Sequence, residues 1–161
     1  MAIDKQFIKE NYPLPVYNYR VTVLDSAGAV QISFAEISGL QVEYEPVTYK
    51  HGLSYLMGDK IIPGMQQPIN ITMKKGIVKS QDLLQKWIDE AYNNPFGENG
   101  KRDVLIELCD ENADTVLSWK VEKALPTKLE VPSFDANSNE VAIETMELLA
   151  HDLKVNNVSS I

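Results

Sequence analysis

The chain has one cysteine, Cys109, and two histidines, His51 and His151, among 161 residues. A single thiol cannot close an intramolecular disulfide, so nothing in the fold depends on an oxidising compartment. The histidines form no H-x-x-x-H pattern and the cysteine no C-x-x-C pattern, which argues against a structural metal site. No G-x-S-x-G, P-loop or G-x-G-x-x-G occurs, so the usual nucleophile elbow and phosphate cradles are closed. Long apolar runs are missing too. No segment approaches the span of a membrane helix, and MAIDKQFIKENYPLP holds no apolar stretch of signal-peptide length. Cytoplasmic synthesis and folding, with no membrane anchor, is the expectation. The only basic pairs are Lys74-Lys75 and Lys101-Arg102, and the net charge is −8. That balance gives no surface for specific nucleic-acid binding, and simple solubility accounts for the acidity.

Two stretches come close to calcium loops and miss. Asp110, Asn112 and Asp114 match the first three ligand positions, but Thr115 stands where glycine is needed and Val121 where a bidentate glutamate is needed. Asp135, Asn137 and Asn139 repeat the pattern with Glu140 and Met146 in those places. Both read as turns. Cys109 has no local base and reads as a half-buried strand cysteine. Abundant carboxylates do not by themselves make a paired-acid site. No catalytic, metal or cofactor site is expected, and the chain does not read as an enzyme.

A chain of this length, 44% hydrophobic and 24% charged, reads as one soluble domain with a core large enough to fold unaided. Residues 1–16 read as a polar arm, extended towards Pro13 and Pro15. Residues 17–24 (YNYRVTVL) alternate apolar and polar, as do 30–37, and Asp25-Ser26-Ala27-Gly28 between them has turn chemistry, giving a hairpin. Residues 69–75 (INITMKK) form another alternating strand. The first helical signal comes after residue 79. Ser80 is placed to cap a helix over 80–93, Asp82 suits its first turn, and Leu83, Leu84, Trp87, Ile88 and Ala91 recur at helical spacing to pack it on a sheet. Asn93-Asn94-Pro95 stops it. Residues 102–109 and 115–121 flank a second hairpin turn at 110–114. Residues 124–132 are bounded by prolines, and 133–140 read as a polar loop. Residues 141–155 have both helical propensity and strand-like alternation, so both readings stand.

The organising stretch is 34–64. It turns at Ser38-Gly39, runs extended over 40–49 with Gln41, Glu43 and Glu45 on one face, and opens into a loop punctuated by Gly52, Gly58 and Gly64. Pro46 marks an edge or a bulge. Tyr44, Tyr49, Tyr55, Leu53, Leu56 and Met57 either fold onto the chain's own core or wait for a partner.

The ordered set YPLPVYNYRVTV, FAEISGLQVEYEPVTYKHG, PGMQQPINITMKKGI, LLQKWI and WKVEKALPTKLEVPSFDANSNEVAIETMELLAHDLKV resembles the tail-tube (inner-tube) proteins of contractile phage tails and phage-tail-like contractile injection systems. The resemblance spans nearly the whole chain. It implies a mainly β (α+β) fold, a two-sheet β-barrel-like arrangement with one flanking helix, related to the ring proteins of type VI secretion, and makes the last element a strand. It implies hexameric rings, stacked into a tube that carries cargo through its lumen inside an injection particle. The implied partners are the chain itself, a sheath protein, baseplate and spike proteins, tape-measure and terminator proteins, and a lumen cargo protein. Gln41, Glu43, Glu45, Asn70, Thr72 and Lys74 become lumen candidates, with an ordinary solvent face as the alternative. The loop 50–64, with Tyr49, Lys50, His51, Leu53, Tyr55, Leu56, Met57, Asp59 and Lys60, becomes the ring-stacking candidate. The competing readings are the DNA-passing tail tube of a phage virion and a monomeric β-rich binding module.

Overall fold

The computed structural model describes residues 5–79 and 82–157. Its organising element is one long strand, β8 (Thr115–Glu130), which belongs to two sheets at once. The order before it is α1 (Lys5–Asn11), β1 (Tyr19–Asp25), β2 (Gly28–Ile32), β3 (Glu36–Ser38), β4 (Val47–Tyr49), α2 (Ser54–Met57), β5 (Lys60–Ile62), β6 (Ile69–Gly76), α3 (Leu83–Asn93) and β7 (Arg102–Cys109); β9 (Ile143–Ala150) and β10 (Asp152–Asn157) follow it. The first half of β8 pairs with β7 and β10 in a first sheet ordered β2-β1-β7-β8-β10. Its second half pairs with β9 in a second sheet ordered β8-β9-β6-β3. All of these pairs are antiparallel.

The corner lies at Lys123. Between Arg102 and Val104 the register with β8 shifts, Lys123 takes a left-handed φ of 52°, and its amide donates to Asp103 Oδ1 at 3.0 Å. An extra residue of this kind bends and twists a strand, which is how one strand leaves one sheet for another. The partner ribbon passes the same corner between β9 and β10, at His151. Folding brings both inner faces onto one core: Val21, Val23, Val104, Ile106 and Val121 from the first sheet against Ile69, Ile71, Met73, Met146 and Leu148 from the second. These are alternate residues of each strand, as a two-faced sheet requires.

Several expectations change. The single strand expected over 30–37 is two strands in different sheets; the chain crosses between the layers with Phe34 buried and Ala35 donating to the Lys74 carbonyl at 2.7 Å. The alternation continued across the crossing, so periodicity carried no mark of it. The stretch 40–49 is a regular strand only at β4, and one bridge joins Tyr44 to Gln66. The strand expected over 115–121 runs on to Glu130 and includes Pro126: past Ala124 β8 pairs with β9 on one side alone, and a strand with a free edge tolerates a residue without an N–H. The arm 1–16 contains α1, and the loop contains α2, so the expected single helix is one of three among the described residues. The longest helix starts at Leu83, later than expected, with Asp82 at the N-cap position and no side-chain cap bond; Ser80 lies outside the described residues. Residues 143–157 are strands, β9 and β10, in agreement with the resemblance and against helical propensity. Strand pairing on both edges of β9 supplies what propensity cannot.

Candidate assembly surfaces

The second sheet has two unlike faces. On β6, Ile69, Ile71, Met73 and Lys75 point to the core, and Asn70, Thr72 and Lys74 point away. The outward residues meet neighbours of the same kind. Thr72 stands between Ser38 and Glu147, and Lys74 between Glu36 and Thr145, with Lys74 Nζ 3.2 Å from Glu36 Oε2. Asn70 faces the half-buried Leu149, and Lys128 and Glu130 of β8 approach to 3.5 Å. Glu36, Glu147, Lys128 and Glu130 were not singled out in the sequence, because cross-strand register is needed to place them on this face.

Gln41, Glu43 and Glu45 lie beyond the sheet, at the base of a hairpin arm, where they share a groove with Asn70, Gln67 and Leu149. Backbone bonds from Glu45 N to the Met65 carbonyl (3.1 Å) and from Gln67 N to the Glu43 carbonyl (2.7 Å) close this base. Two glycines permit it. Gly39 has φ 90° and any Cβ there would meet the Asn70 carbonyl oxygen; a Cβ at Gly64 would collide with the carbonyl of Glu45.

Beyond Gly64 the arm continues as β4 paired with β5, and among the described residues these two strands pair only with each other. Its tip is α2, organised by His51: the Ser54 hydroxyl accepts from the His51 amide at 2.6 Å, and His51 Nδ1 accepts from Leu53 N at 3.2 Å. Tyr49 stacks near the His51 ring with centroids 6.3 Å apart. The apolar side chains of the arm are not folded inward. Tyr49, Leu53, Tyr55, Leu56, Met57 and Ile61 are all more than half exposed, and the charged Lys50, Asp59 and Lys60 lie among them. Exposed apolar side chains gathered on one projection are the kind of surface that interaction sites use.

Both edges of the second sheet are unpaired among the described residues: β3 has a neighbour only in β6, and residues 125–130 of β8 only in β9. The first sheet presents a charged outer face. Arg20 Nε lies 2.7 Å from Glu107 Oε2, Lys120 Nζ 3.7 Å from Asp103 Oδ2 and Lys154 Nζ 2.8 Å from Glu122 Oε1. Glu107 and Glu122, each hydrogen-bonded to its partner, hold Arg20 and Lys154 above their ordinary pKa values.

Helix α3 closes the core at one side. Leu84, Trp87 and Ala91 are buried, and Leu83 and Ile88 pack half-buried against the same cluster. The Trp87 indole donates to the Gly100 carbonyl at 3.1 Å under the Arg102 guanidinium, 5.4 Å away, and Tyr92 donates to the Pro126 carbonyl at 2.7 Å. Cys109 is buried, and the Asp110 carboxylate is taken up by the amides of Asn112 and Asp114, so the near-calcium stretch serves as a turn. No helix among the described residues is long and apolar enough to cross a membrane.

Comparison with known proteins gives a consistent picture. The family model for the T4-like virus tail tube protein gp19 matches residues 15–154. A chain of the extracellular contractile injection system PVC, from its sheath-tube complex in the extended state, is 32% identical with a TM-score of 0.85, over 98% of this chain and 100% of that one. A chain of the anti-feeding prophage cap, described as the tube terminating cap, is 32% identical with a TM-score of 0.79, over 92% and 93%. A chain of the anti-feeding prophage baseplate, 6-fold symmetrised, shares the fold at 23% identity and a TM-score of 0.80, over 92% and 98%. Comparison with curated proteins gives no match.

Proposed function

The chain belongs to the T4-like virus tail tube protein family, as a tail-tube protein of the contractile-injection type, and on that premise we propose that its whole length works as one tube-forming domain. Six copies form a ring, and rings stack into the inner tube. The observation that carries this reading is the second sheet: four strands, a polar face on one side, and an unpaired edge on each flank. A sheet with two open edges is a liability for a single subunit. Joined edge to edge around a ring, six such sheets become one closed barrel with no edge left, and the polar face becomes the wall of a water-filled lumen.

In that ring Asn70, Thr72 and Lys74 line the lumen with Glu36 and Glu147, and Gln41, Glu43 and Glu45 stand at its mouth. The charged outer face of the first sheet turns towards the sheath, in keeping with the relative found in a sheath-tube complex. Baseplate and terminator proteins meet the two ends of the tube, and cargo passes through the lumen when the sheath contracts. The role is structural, not catalytic, within an extracellular injection particle. Negative-stain electron microscopy and size-exclusion chromatography at moderate salt test the proposal. Rings or tubes with an open centre are the expected result. A monomer at every salt and concentration that is also not recruited by baseplate components would overturn it.

A further inference from the structure

Asn99 precedes Gly100 in the loop between α3 and β7, and glycine, with no Cβ, leaves its amide nitrogen unshielded. At Asn93, Asn112, Asn137 and Asn139 the following amide is already engaged. Asn94 N donates to the Glu90 carbonyl, Ala113 N to the Asp110 carbonyl and Ser138 N to the Asp135 carbonyl, each at 3.1 Å. Glu140 N donates to the Ser138 hydroxyl at 3.3 Å. Asn94 is followed by Pro95, which has no N–H. Among the described residues the Gly100 amide makes no hydrogen bond.

The Asn99 side chain is held by its oxygen alone. Oδ1 accepts from the Ser26 hydroxyl at 2.6 Å and from the Ser26 amide at 3.2 Å, while Nδ2 has no partner among the described residues. The backbone on either side is pinned as well. The Asn99 carbonyl accepts from Arg102 Nε at 3.0 Å, and the Gly100 carbonyl accepts from the Trp87 indole at 3.1 Å. Asn99 is only half-buried, so water reaches the pair.

We propose that Asn99 is a modification site, an asparagine that the fold itself converts to aspartate and isoaspartate. The Gly100 nitrogen gives up its proton to hydroxide and attacks Asn99 Cγ. As the N–Cγ bond forms, the carbonyl electron pair moves onto Oδ1, where the two Ser26 donors stabilise the charge. The same two bonds hold Cγ in place for the attack. The Cγ–Nδ2 bond then breaks, and ammonia leaves with a proton from water. Water opens the resulting cyclic imide: cleaving Cγ–N gives aspartate, and cleaving the backbone C–N gives isoaspartate. The balance is one water in and one ammonia out. The isoaspartate product carries an extra backbone carbon ahead of Gly100, whose carbonyl seats the buried Trp87, so the modification loosens α3 from the body.

The test incubates the full chain in mildly alkaline buffer, with and without urea, and follows each asparagine by peptide mass spectrometry. Asn99 is expected to convert at least as fast folded as in urea, while Asn112 and Asn137 stay intact. Ser26→Ala should slow conversion in the folded chain by about tenfold, one donor being lost at a partly wetted site, and should change nothing in urea. Ser26→Thr, which keeps the hydroxyl, should restore the rate. Gly100→Ala should suppress conversion in both conditions, and a Cβ there makes no contact shorter than 3.4 Å, so the fold is kept. Melting temperatures confirm that each variant is folded. Conversion slower in the folded chain than in urea, or unchanged or faster in folded Ser26→Ala, would show that the Ser26 bonds do not assist the attack and would overturn the proposal.

Discussion

Lys75 and Glu144 face each other across β6 and β9, with Nζ 3.1 Å from Oε1, on the core side of a sheet whose charged groups otherwise point away. Lys75 is 2% exposed, and its ammonium also donates to the Gly76 carbonyl at 3.2 Å. Removing one partner leaves a buried charge unpaired. Glu144→Ala is expected to cost about 3 kcal/mol, whereas Lys75→Met with Glu144→Leu stays close to the parent chain. Urea unfolding of the subunit measures both. A single-variant loss below about 0.5 kcal/mol would mean that the ammonium reaches water.

Lys123 gives a prediction of opposite sign. A non-glycine residue at φ 52° carries a steric cost that glycine does not. Lys123→Gly should leave stability unchanged or raise it by up to about 1 kcal/mol, and Lys123→Val should lower it by about 1–2 kcal/mol. Thermal unfolding of the pair checks the corner. Equal melting temperatures would show that the strand bends without the left-handed residue.

The arm depends on Gly64 in a way it does not depend on Gly52. A Cβ at Gly64 meets the Glu45 carbonyl, and one at Gly52 meets nothing. Gly64→Ala should leave the melting temperature of the body unchanged while abolishing stacks in the electron microscope; Gly52→Ala should leave both unchanged. Normal tubes from Gly64→Ala would remove the arm from the stacking contact.

Tyr19 sets an alkaline limit. Its hydroxyl donates to the Phe34 carbonyl at 2.6 Å, and burial, with the Glu36 charge as the smaller cause, raises its pKa above the ordinary phenol value. The unfolded chain then loses this proton first. The contribution is fully present below about pH 10 and is lost as pH rises through the folded pKa. Tyr19→Phe should cost about 1 kcal/mol at neutral pH and flatten the alkaline decline. An unchanged decline in urea titrations from pH 8 upwards would place it in another group.

Charge governs stacking at longer range. Six chains at −8 each put −48 (6 × −8) on a ring, and the repulsion between rings is screened within about 10 Å at 0.1 M salt. Raising ionic strength should move the protein from subunits and single rings towards stacks, because salt screens the repulsion between rings and leaves apolar contacts in place. Stacks that dissolve steadily with salt would instead show ion pairs as the dominant bond between rings. Sedimentation across a salt series separates the two.

Local rules located most of the elements but not their partners. The β1–β2 and β7–β8 hairpins, β6 and the body of α3 follow from alternation, turn residues and helical spacing that belong to single segments. The crossing at 32–36 did not, since Phe34 keeps the alternation of β2 while the backbone changes sheets. Residues 124–132 read as a separate proline-bounded stretch, and not as the continuation of β8, because the sequence does not say which strand edge lacks a partner. For the candidate surfaces, Asn70, Thr72 and Lys74 were legible from the period of one strand. Their companions Glu36 and Glu147 come from strands far apart in sequence, and only register brings them together. The exposure of Leu56 and Met57 was open in the sequence, because a lone apolar loop reads equally as core or interface. Phe134, within the polar loop 133–140, gave no periodic signal at all.

The corner at Lys123 also has a mechanical meaning. Two backbones, β8 and the β9–β10 ribbon, run unbroken from the first sheet into the second, which in the proposed tube are the outer and inner layers. A pull applied to the outer sheet reaches the inner sheet along covalent chain, and the hydrogen bonds between the two backbones resist it together, in shear, along the ribbon. The layers cannot slide past one another as two stacked sheets joined only by side-chain packing could. A wall built this way transmits thrust from its outside to its bore without a slip plane between them.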